Sequence, residues 1–162
     1  MAEPLQAAVA VRVQEEDFDL ADLQRGLLAG ASREGAVATF TGYVRAENEQ
    51  LPVHTMELQH YPGMTEKSIH AIIIQACERW PLLAVSVGHR VGRLHPGDQV
   101  VWVGVASAHR GAAFDACEFI MDYLKHRAPL WKKELGPDGG RWVEARPEDA
   151  ARADRWQDDD SP

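Results

Sequence analysis

The sequence predicts an α+β fold, or loosely α/β, with a mixed or antiparallel sheet, about three helices and a small additional β subdomain. Strand-like and helical patterns interleave along the chain, and turn residues separate them. Two successive strands form a hairpin, which pairs them antiparallel and excludes a sheet built only from parallel crossover units. These observations together set the fold class.

Three segments place apolar residues at helical spacing, at residues 17–28, 65–80 and 111–128. The first begins with acidic residues and stops at Gly30, whereas the second begins at a capping Thr65. Pro81 and Pro129 close the second and third helices. One face of the third helix is predicted to point into the core: Ala113, Phe114, Cys117, Ile120, Met121 and Leu124.

Strands are predicted at residues 36–44 and 54–60, and a hairpin joins 85–91 to 99–106 through a turn at 95–98. The second hairpin strand is nearly continuous Val, Trp and Gly, which is typical of a central strand. Two short strands at 131–134 and 141–145 surround a Gly-Pro-Asp-Gly-Gly loop.

Length and charge narrow the class of protein. With 162 residues and 45% hydrophobic content, residues 1–156 are predicted to form a single domain and 157–162 a disordered acidic tail. A net charge of −8 lacks the basic face that nucleic-acid binding requires. No apolar run approaches the roughly 20 residues that span a bilayer, and no basic targeting segment opens the chain, which favours a cytoplasmic protein.

The cysteines and histidines do not indicate a metal or redox site. Cys77 and Cys117 are far apart and lie within helical patterns, so both are predicted to be core residues. The seven histidines show neither HxH nor HExxH spacing, and neither a glycine-rich phosphate loop nor a GxSxG motif occurs. We therefore expect no metal and no cofactor.

His109 and Arg110 form the first cationic candidate on this acidic chain. They lie where a buried strand passes into the third helix, at the positive end of its dipole. Cations are unfavourable there, so their joint presence favours an anion site over simple capping of the helix.

Lys125, Lys132 and Lys133 form the second cationic candidate. Lys125 lies in the last turn of the third helix, where the dipole alone could explain its charge, but it also follows the inward Met121 by four residues. An inward lysine near other cations tends to lose its proton. Lys125 and Lys132 could then divide the roles of general base or nucleophile and of phosphate clamp.

Five further stretches of sequence are distinctive: FTGYVR at 40–45, HYPGMTEK at 60–67, SAHRGAAF at 107–114, FIMDYLKHRAPLWKKE at 119–134 and RWVEAR at 141–146. In this order and spacing, the region from about Ala36 to Trp156 resembles the large, catalytic subunit of molybdopterin synthase, the MoaE family. The resemblance implies an α/β hammerhead-like fold. It also implies a sulfurtransferase that converts cyclic pyranopterin monophosphate into the dithiolene molybdopterin, within molybdenum cofactor biosynthesis.

The resemblance further implies a partner and a set of site residues. The sulfur comes from the C-terminal Gly-Gly thiocarboxylate of a small ubiquitin-like subunit. Lys125 and Lys132 match the family's essential lysines and also contact the substrate. The other implied substrate contacts are Arg45, His109, Arg110, Lys133, Glu134 and Arg146.

The length of the third helix separates the two cationic candidates. About fifteen helical residues lie between Arg110 and Lys125, which corresponds to over ~20 Å at about 1.5 Å per residue. One small phosphorylated pterin cannot bridge that distance. The two candidates therefore form separate sites, or a homodimer joins them in a shared site and the small subunits complete a heterotetramer; we predict the dimer.

Two other functions stay open at the level of sequence. A non-catalytic phosphopterin- or nucleotide-binding protein would need the same cations but no deprotonated lysine. A scaffold would use its acidic tail to recruit a basic partner, and removing residues 157–162 would then abolish recruitment.

Overall fold

The computed structural model describes residues 6–48, 51–137, 139–143 and 146–157, which form two four-stranded sheets, four helices and a two-stranded hairpin. The strands are β1 (Ala8–Gln14), β2 (Ala36–Tyr43), β3 (Glu47–Asn48), β4 (Leu51–Pro52), β5 (Thr55–His60), β6 (Leu82–Arg90), β7 (Gly92–Leu94), β8 (Gln99–Ser107), β9 (Leu130–Gly136) and β10 (Gly139–Val143). The helices are α1 (Leu20–Arg25), α2 (Met64–Arg79), α3 (Arg110–Arg127) and α4 (Pro147–Asp154). The α+β class is confirmed.

The first sheet has the order β1-β6-β8-β2, with β1 parallel to β6 and the other pairs antiparallel. Its central strand β8 is buried from Val100 to Ser107, which confirms the predicted central strand at 99–106. Helices α2 and α3 pack on one face of this sheet. A smaller apolar cluster that includes Leu27 and Trp102 lies apart from that main core. The sheet is therefore covered by apolar residues on both faces.

The second sheet is antiparallel, with the order β10-β9-β5-β7. It contains the strands predicted at 54–60, 131–134 and, in part, 141–145, although residues 144 and 145 lie outside the described part of the chain. Strand β9 follows directly from α3 through Ala128 and Pro129. This short connection brings the lysines of β9 next to the end of α3.

Two predicted helix starts differ from the structure. The segment predicted at 17–28 is helical only over Leu20–Arg25, because Phe18 and Leu27 reach the same apolar cluster from non-helical backbone. The N-cap of α2 is Gly63 at φ 85°, a left-handed conformation that favours glycine, and not Thr65. The Thr65 hydroxyl instead accepts a hydrogen bond from the Tyr61 N–H and donates one to the Pro129 carbonyl, both at 3.0 Å.

The third helix is confirmed to within one residue at each end, with one correction to its inward face. Phe114 was predicted to point into the core but is 65% exposed, and Met121 is only partly buried. Of the two cysteines, Cys117 is buried as predicted, and burial raises the pKa of its thiol to about 11. Cys77 is half-buried.

Strand β1, the β3–β4 hairpin and helix α4 are elements that the sequence patterns did not predict. Helix α4 buries only Ala153, so its sequence shows charge rather than an apolar stripe. Within the described residues, we find no helix with the length and apolar character needed to cross a membrane. The tail predicted to be disordered lies outside the described residues from position 158 onward.

Candidate functional site

A cavity of about 550 Å³ lies between the end of α3, strand β9 and the start of α4, and we call it the lysine cavity. Five of the eight site residues predicted from sequence line it together: Arg45, Lys125, Lys132, Glu134 and Arg146. These side chains come from four regions of the chain. The structure therefore assembles most of the predicted site within one protomer.

The register of β9 decides which of its charged residues reach this cavity. Lys132 pairs with the buried Leu58 and faces the same side as Glu134, whereas the intervening Lys133 points to the opposite face. The Lys133 ammonium lies over the Trp142 ring, 5.7 Å from its centroid. Lys133 thus lies outside the lysine cavity in this chain.

Lys125 and Lys132 meet within hydrogen-bonding reach of each other. The pKa of Lys132 is lowered to about 8, first by burial and then by the neighbouring Lys125, while the carboxylates of Asp149 and Glu134 act in the opposite direction. An ammonium has three donors and no acceptor, so a hydrogen bond between two amines requires one of them to be neutral. The pair can therefore share one proton, as general acid–base chemistry requires.

Glu134 is buried and its carboxylate is already occupied by donors. The Asn48 amide donates to Oε1 at 2.6 Å and Arg141 donates to Oε2 at 3.0 Å. These contacts tie β9 to β10 and to the β3–β4 hairpin. Because the carboxylate is paired with Arg141, it does not neutralise both lysines.

His89 also lines the lysine cavity, although no sequence motif singled it out. It lies on β6, is 8% exposed, and its Nδ1 is 2.8 Å from the Arg90 carbonyl oxygen. A single histidine in an apolar strand gives no spacing signal. Only the pairing of β6 with β8 brings it beside residues that are distant in sequence.

His109 and Arg110 lie at the opposite end of α3 from Lys125. His109 is the N-cap and Arg110 the first helical residue, as expected from the sequence. Both are exposed and line a separate cavity of about 420 Å³ with Gly35, where an added Cβ would meet the Ala108 carbonyl oxygen at 2.1 Å. The structure therefore does not bring them to the lysine cavity of the same protomer.

Helix α4 is held over the lysine cavity by Asp122 of α3. This buried carboxylate accepts hydrogen bonds from the Trp156 indole at 2.8 Å and from Arg152 and Arg155 at 3.0 Å each. The N-cap of α4 is Arg146, and Asp149 lies in its first turn, so this anchor positions both at the cavity.

We expect Asp122→Asn to lower the free energy of unfolding by about 1–3 kcal/mol. The buried side chain then lacks the negative charge that attracts Arg152 and Arg155. Urea unfolding followed by tryptophan fluorescence measures the change. Glu118→Gln is the matched control: that carboxylate also accepts from Arg152 but is 45% exposed, so the expected loss is below about 1 kcal/mol. Equal losses for the two variants would contradict the anchoring role.

A third depression, which we call the aromatic cleft, adjoins the lysine cavity. It measures about 450 Å³ and is lined by Phe40, Phe114, Met121 and Lys125, among others. Phe40 on the edge strand β2 is 42% exposed and Phe114 on α3 is 65% exposed. Lys125 and Met121 line both depressions, so the aromatic surface continues into the lysine cavity.

The sequence of this chain is similar to a known protein family and to individual proteins of known name. The MoaE protein family matches the chain over residues 13–127. The chain is 53% identical over 150 residues to the molybdopterin synthase catalytic subunit of Pseudomonas aeruginosa, covering 93% of this chain and 100% of that protein.

Solved structures show the same fold. A molybdopterin biosynthesis MoaE protein from Burkholderia ambifaria superposes with a TM-score of 0.80 at 50% identity, covering 92% of this chain and 98% of that one. A complex of subunits 1 and 2 of the molybdopterin-converting factor from Helicobacter pylori matches with a TM-score of 0.68 at 20% identity, covering 86% and 92%. This last likeness concerns the fold alone.

Proposed function

The chain belongs to the MoaE protein family, and from that premise we propose that it acts as the catalytic subunit of molybdopterin synthase, an enzyme of molybdenum cofactor biosynthesis. The reaction is a sulfur transfer that turns cyclic pyranopterin monophosphate into the dithiolene molybdopterin. The contact between Lys125 and Lys132 in the lysine cavity carries this proposal. A site that only held a phosphate would need no neutral amine.

Different side chains of the lysine cavity serve substrate binding and catalysis. Arg45 and Arg146 are permanent cations at its wall and suit the phosphate of the substrate. The lysine pair then assists attack by the thiocarboxylate sulfur on a carbon of the substrate side chain: as the C–S bond forms, the C–O bond at that carbon breaks, and the protonated amine gives its proton to the departing oxygen. The resulting acyl intermediate is hydrolysed by water, which leaves the sulfur on the pterin and a carboxylate on the donor. Two such transfers, from two thiocarboxylates, supply the two sulfurs of the dithiolene.

The sulfur donor in this proposal is a small ubiquitin-like subunit whose C-terminal Gly-Gly thiocarboxylate enters the lysine cavity. The Pseudomonas aeruginosa relative is a catalytic subunit by name, which supports the presence of a second subunit. Neither cysteine lines the lysine cavity, and burial raises the pKa of the Cys117 thiol, so neither is suited to carry the sulfur.

We also propose that two copies form a homodimer, which the small subunits extend to a heterotetramer. The exposed Phe40 and Phe114 support this, because large apolar side chains on an edge strand and a neighbouring helix suit burial by a second copy. A copy on the aromatic cleft would approach Lys125 directly. His109 and Arg110 of that copy could then complete the lysine cavity with two more anion-binding side chains.

Incubation of the purified chain with cyclic pyranopterin monophosphate and a thiocarboxylated partner tests the function, with dithiolene product as the readout. We expect Lys125→Arg to lower turnover by about 100-fold or more while substrate affinity changes by only a few fold, because arginine keeps the charge but cannot exchange a proton at neutral pH. A non-catalytic binder would form no dithiolene and would tolerate the change.

The alternative of a binding protein keeps some support from the cationic wall of the cavity, but it gives no role to the depressed pKa of Lys132. The scaffold alternative depends on the acidic tail, which lies outside the described residues from position 158. A cytoplasmic location remains a prediction.

A further inference from the structure

His89 is a buried polar side chain whose hydrogen bonding is half complete. Nδ1 lies 2.8 Å from the Arg90 carbonyl oxygen, and a carbonyl can only accept, so Nδ1 carries the hydrogen and donates it. Nε2 is then the nitrogen with the free lone pair. The strand geometry of β6 therefore sets the tautomer of this ring.

The Nε2 atom has no hydrogen-bond partner among the residues that the structure describes, although 92% of the residue surface is buried. Every fully enclosed side-chain nitrogen or oxygen in the described ranges has a hydrogen-bond partner. Because Nε2 has none, it is not fully enclosed in the core. The residue lines the lysine cavity. We conclude that Nε2 is open to that cavity.

Burial keeps this ring neutral. The pKa of His89 is lowered to about 4, chiefly by burial and also by electrostatic interactions with Lys125, Lys132 and His60, against the raising effect of the Arg90 carbonyl. At neutral pH the Nε2 lone pair is therefore available. His89 offers a hydrogen-bond acceptor without a charge.

An acceptor without an acidic group is scarce among the charged side chains of this cavity. Arg45 and Arg146 are donors, and the Glu134 carboxylate is occupied by Asn48 and Arg141. The other acceptors on charged side chains of the wall are the carboxylates of Glu47 and Asp149, and Asp149 already acts on Lys132. A further carboxylate would repel the phosphate of the substrate and pair with the lysines. A neutral imidazole can bind an N–H group of the ligand and leave the lysines free.

We propose that His89 is a substrate-contacting specificity residue, whose Nε2 accepts a hydrogen bond from an N–H group of the pterin ring while the cations hold the phosphate. This inference rests on the proposed function, because the substrate must be a phosphorylated pterin. The ring N–H groups and the amino group of a pterin supply suitable donors. The contact distinguishes the pterin from other small phosphates of similar charge.

Two variants separate the two nitrogens of the ring. In His89→Asn the amide nitrogen can replace Nδ1 at the Arg90 carbonyl, but the cavity acceptor is lost. In His89→Gln the longer side chain places a carbonyl oxygen near the position of Nε2. We expect His89→Asn to raise KM for cyclic pyranopterin monophosphate by about tenfold, since a donor of the bound ligand loses its partner, with kcat changed less. His89→Gln should restore KM to within about threefold of the wild-type value.

Inhibition by inorganic phosphate is the internal control. Phosphate binds to the cationic side chains but has no pterin ring. Its inhibition constant should therefore be the same for the wild-type protein and both variants. An unchanged KM in folded His89→Asn, or equal losses in the two variants, would overturn the proposal. A wild-type chain that forms no dithiolene would instead refute the proposed function.

A measurement on the unmodified chain does not depend on the folding of any variant. With ¹⁵N-labelled histidine, the Nε2 resonance of His89 should move upfield when the pterin binds, as it does when an imidazole nitrogen accepts a hydrogen bond. Phosphate alone should leave it in place. A resonance that stays unchanged with saturating pterin would exclude the contact.

Discussion

Replacing Lys132 by methionine is expected to lower the rate of dithiolene formation by about 10²–10⁴-fold, the usual contribution of a positioned acid–base group. Methionine keeps the volume of the buried stem but has no amine. At pH 7 a lysine with a pKa of about 8 is neutral in roughly one molecule in ten, against about one in three thousand for an ordinary lysine. Single-turnover assays with a preformed thiocarboxylated partner measure the chemical step.

The dependence of kcat/KM on pH should follow the ionisation of Lys132. If the neutral amine of Lys132 is the reactive form, kcat/KM rises with pH and levels off above about 8, because kcat/KM reports ionisations of the free enzyme. That ionisation should vanish from the profile of the methionine variant.

Lys133→Met is the matched control for Lys132→Met, since the adjacent residue has the same side chain but points to the opposite face of β9. We expect Lys133→Met to lower the rate of dithiolene formation by less than about tenfold, because Lys133 does not line the lysine cavity. Similar large losses for the two variants would show that cationic charge near β9, and not the Lys132 amine, supports the reaction.

Mixed dimers should recover activity that neither parent variant has. His109→Ala and Lys125→Ala homodimers each lack one half of every shared site, so both should be nearly inactive. A heterodimer of the two contains one site with both defects and one intact site, so we expect about half of the wild-type activity. Two different affinity tags allow the heterodimer to be purified before the assay.

The control mixture combines Lys125→Ala with Lys132→Ala. These residues lie in the same lysine cavity of one chain, so every site in the heterodimer keeps one defect and no activity should return. Recovery in the control would indicate subunit exchange with intact protein. An inactive heterodimer of His109→Ala and Lys125→Ala would contradict the shared site and leave the two cationic groups as separate sites.

Much of this architecture could be predicted from local patterns. The apolar spacing of 111–128 and the continuous apolar run of 99–106 match α3 and β8 closely, because each side chain in them meets a neighbouring layer of the fold. Where an element is held by polar contacts, that signal is missing. Helix α4 is anchored to Asp122 by Trp156 and two arginines, so its sequence shows only charge.

For the site, the sequence determined the cationic residues, their separation along α3 and the family of the chain, since these depend on residue type, helical rise and motif order. The tertiary structure decided which of them meet. The register of β9 puts Lys132 into the cavity and Lys133 outside it, and burial there, together with the neighbouring Lys125, lowers the pKa of Lys132. The packing of the fold also leaves Phe114 exposed and places His89 at the lysine cavity. Burial and proximity of this kind depend on contacts between distant segments, which no single stretch of sequence encodes.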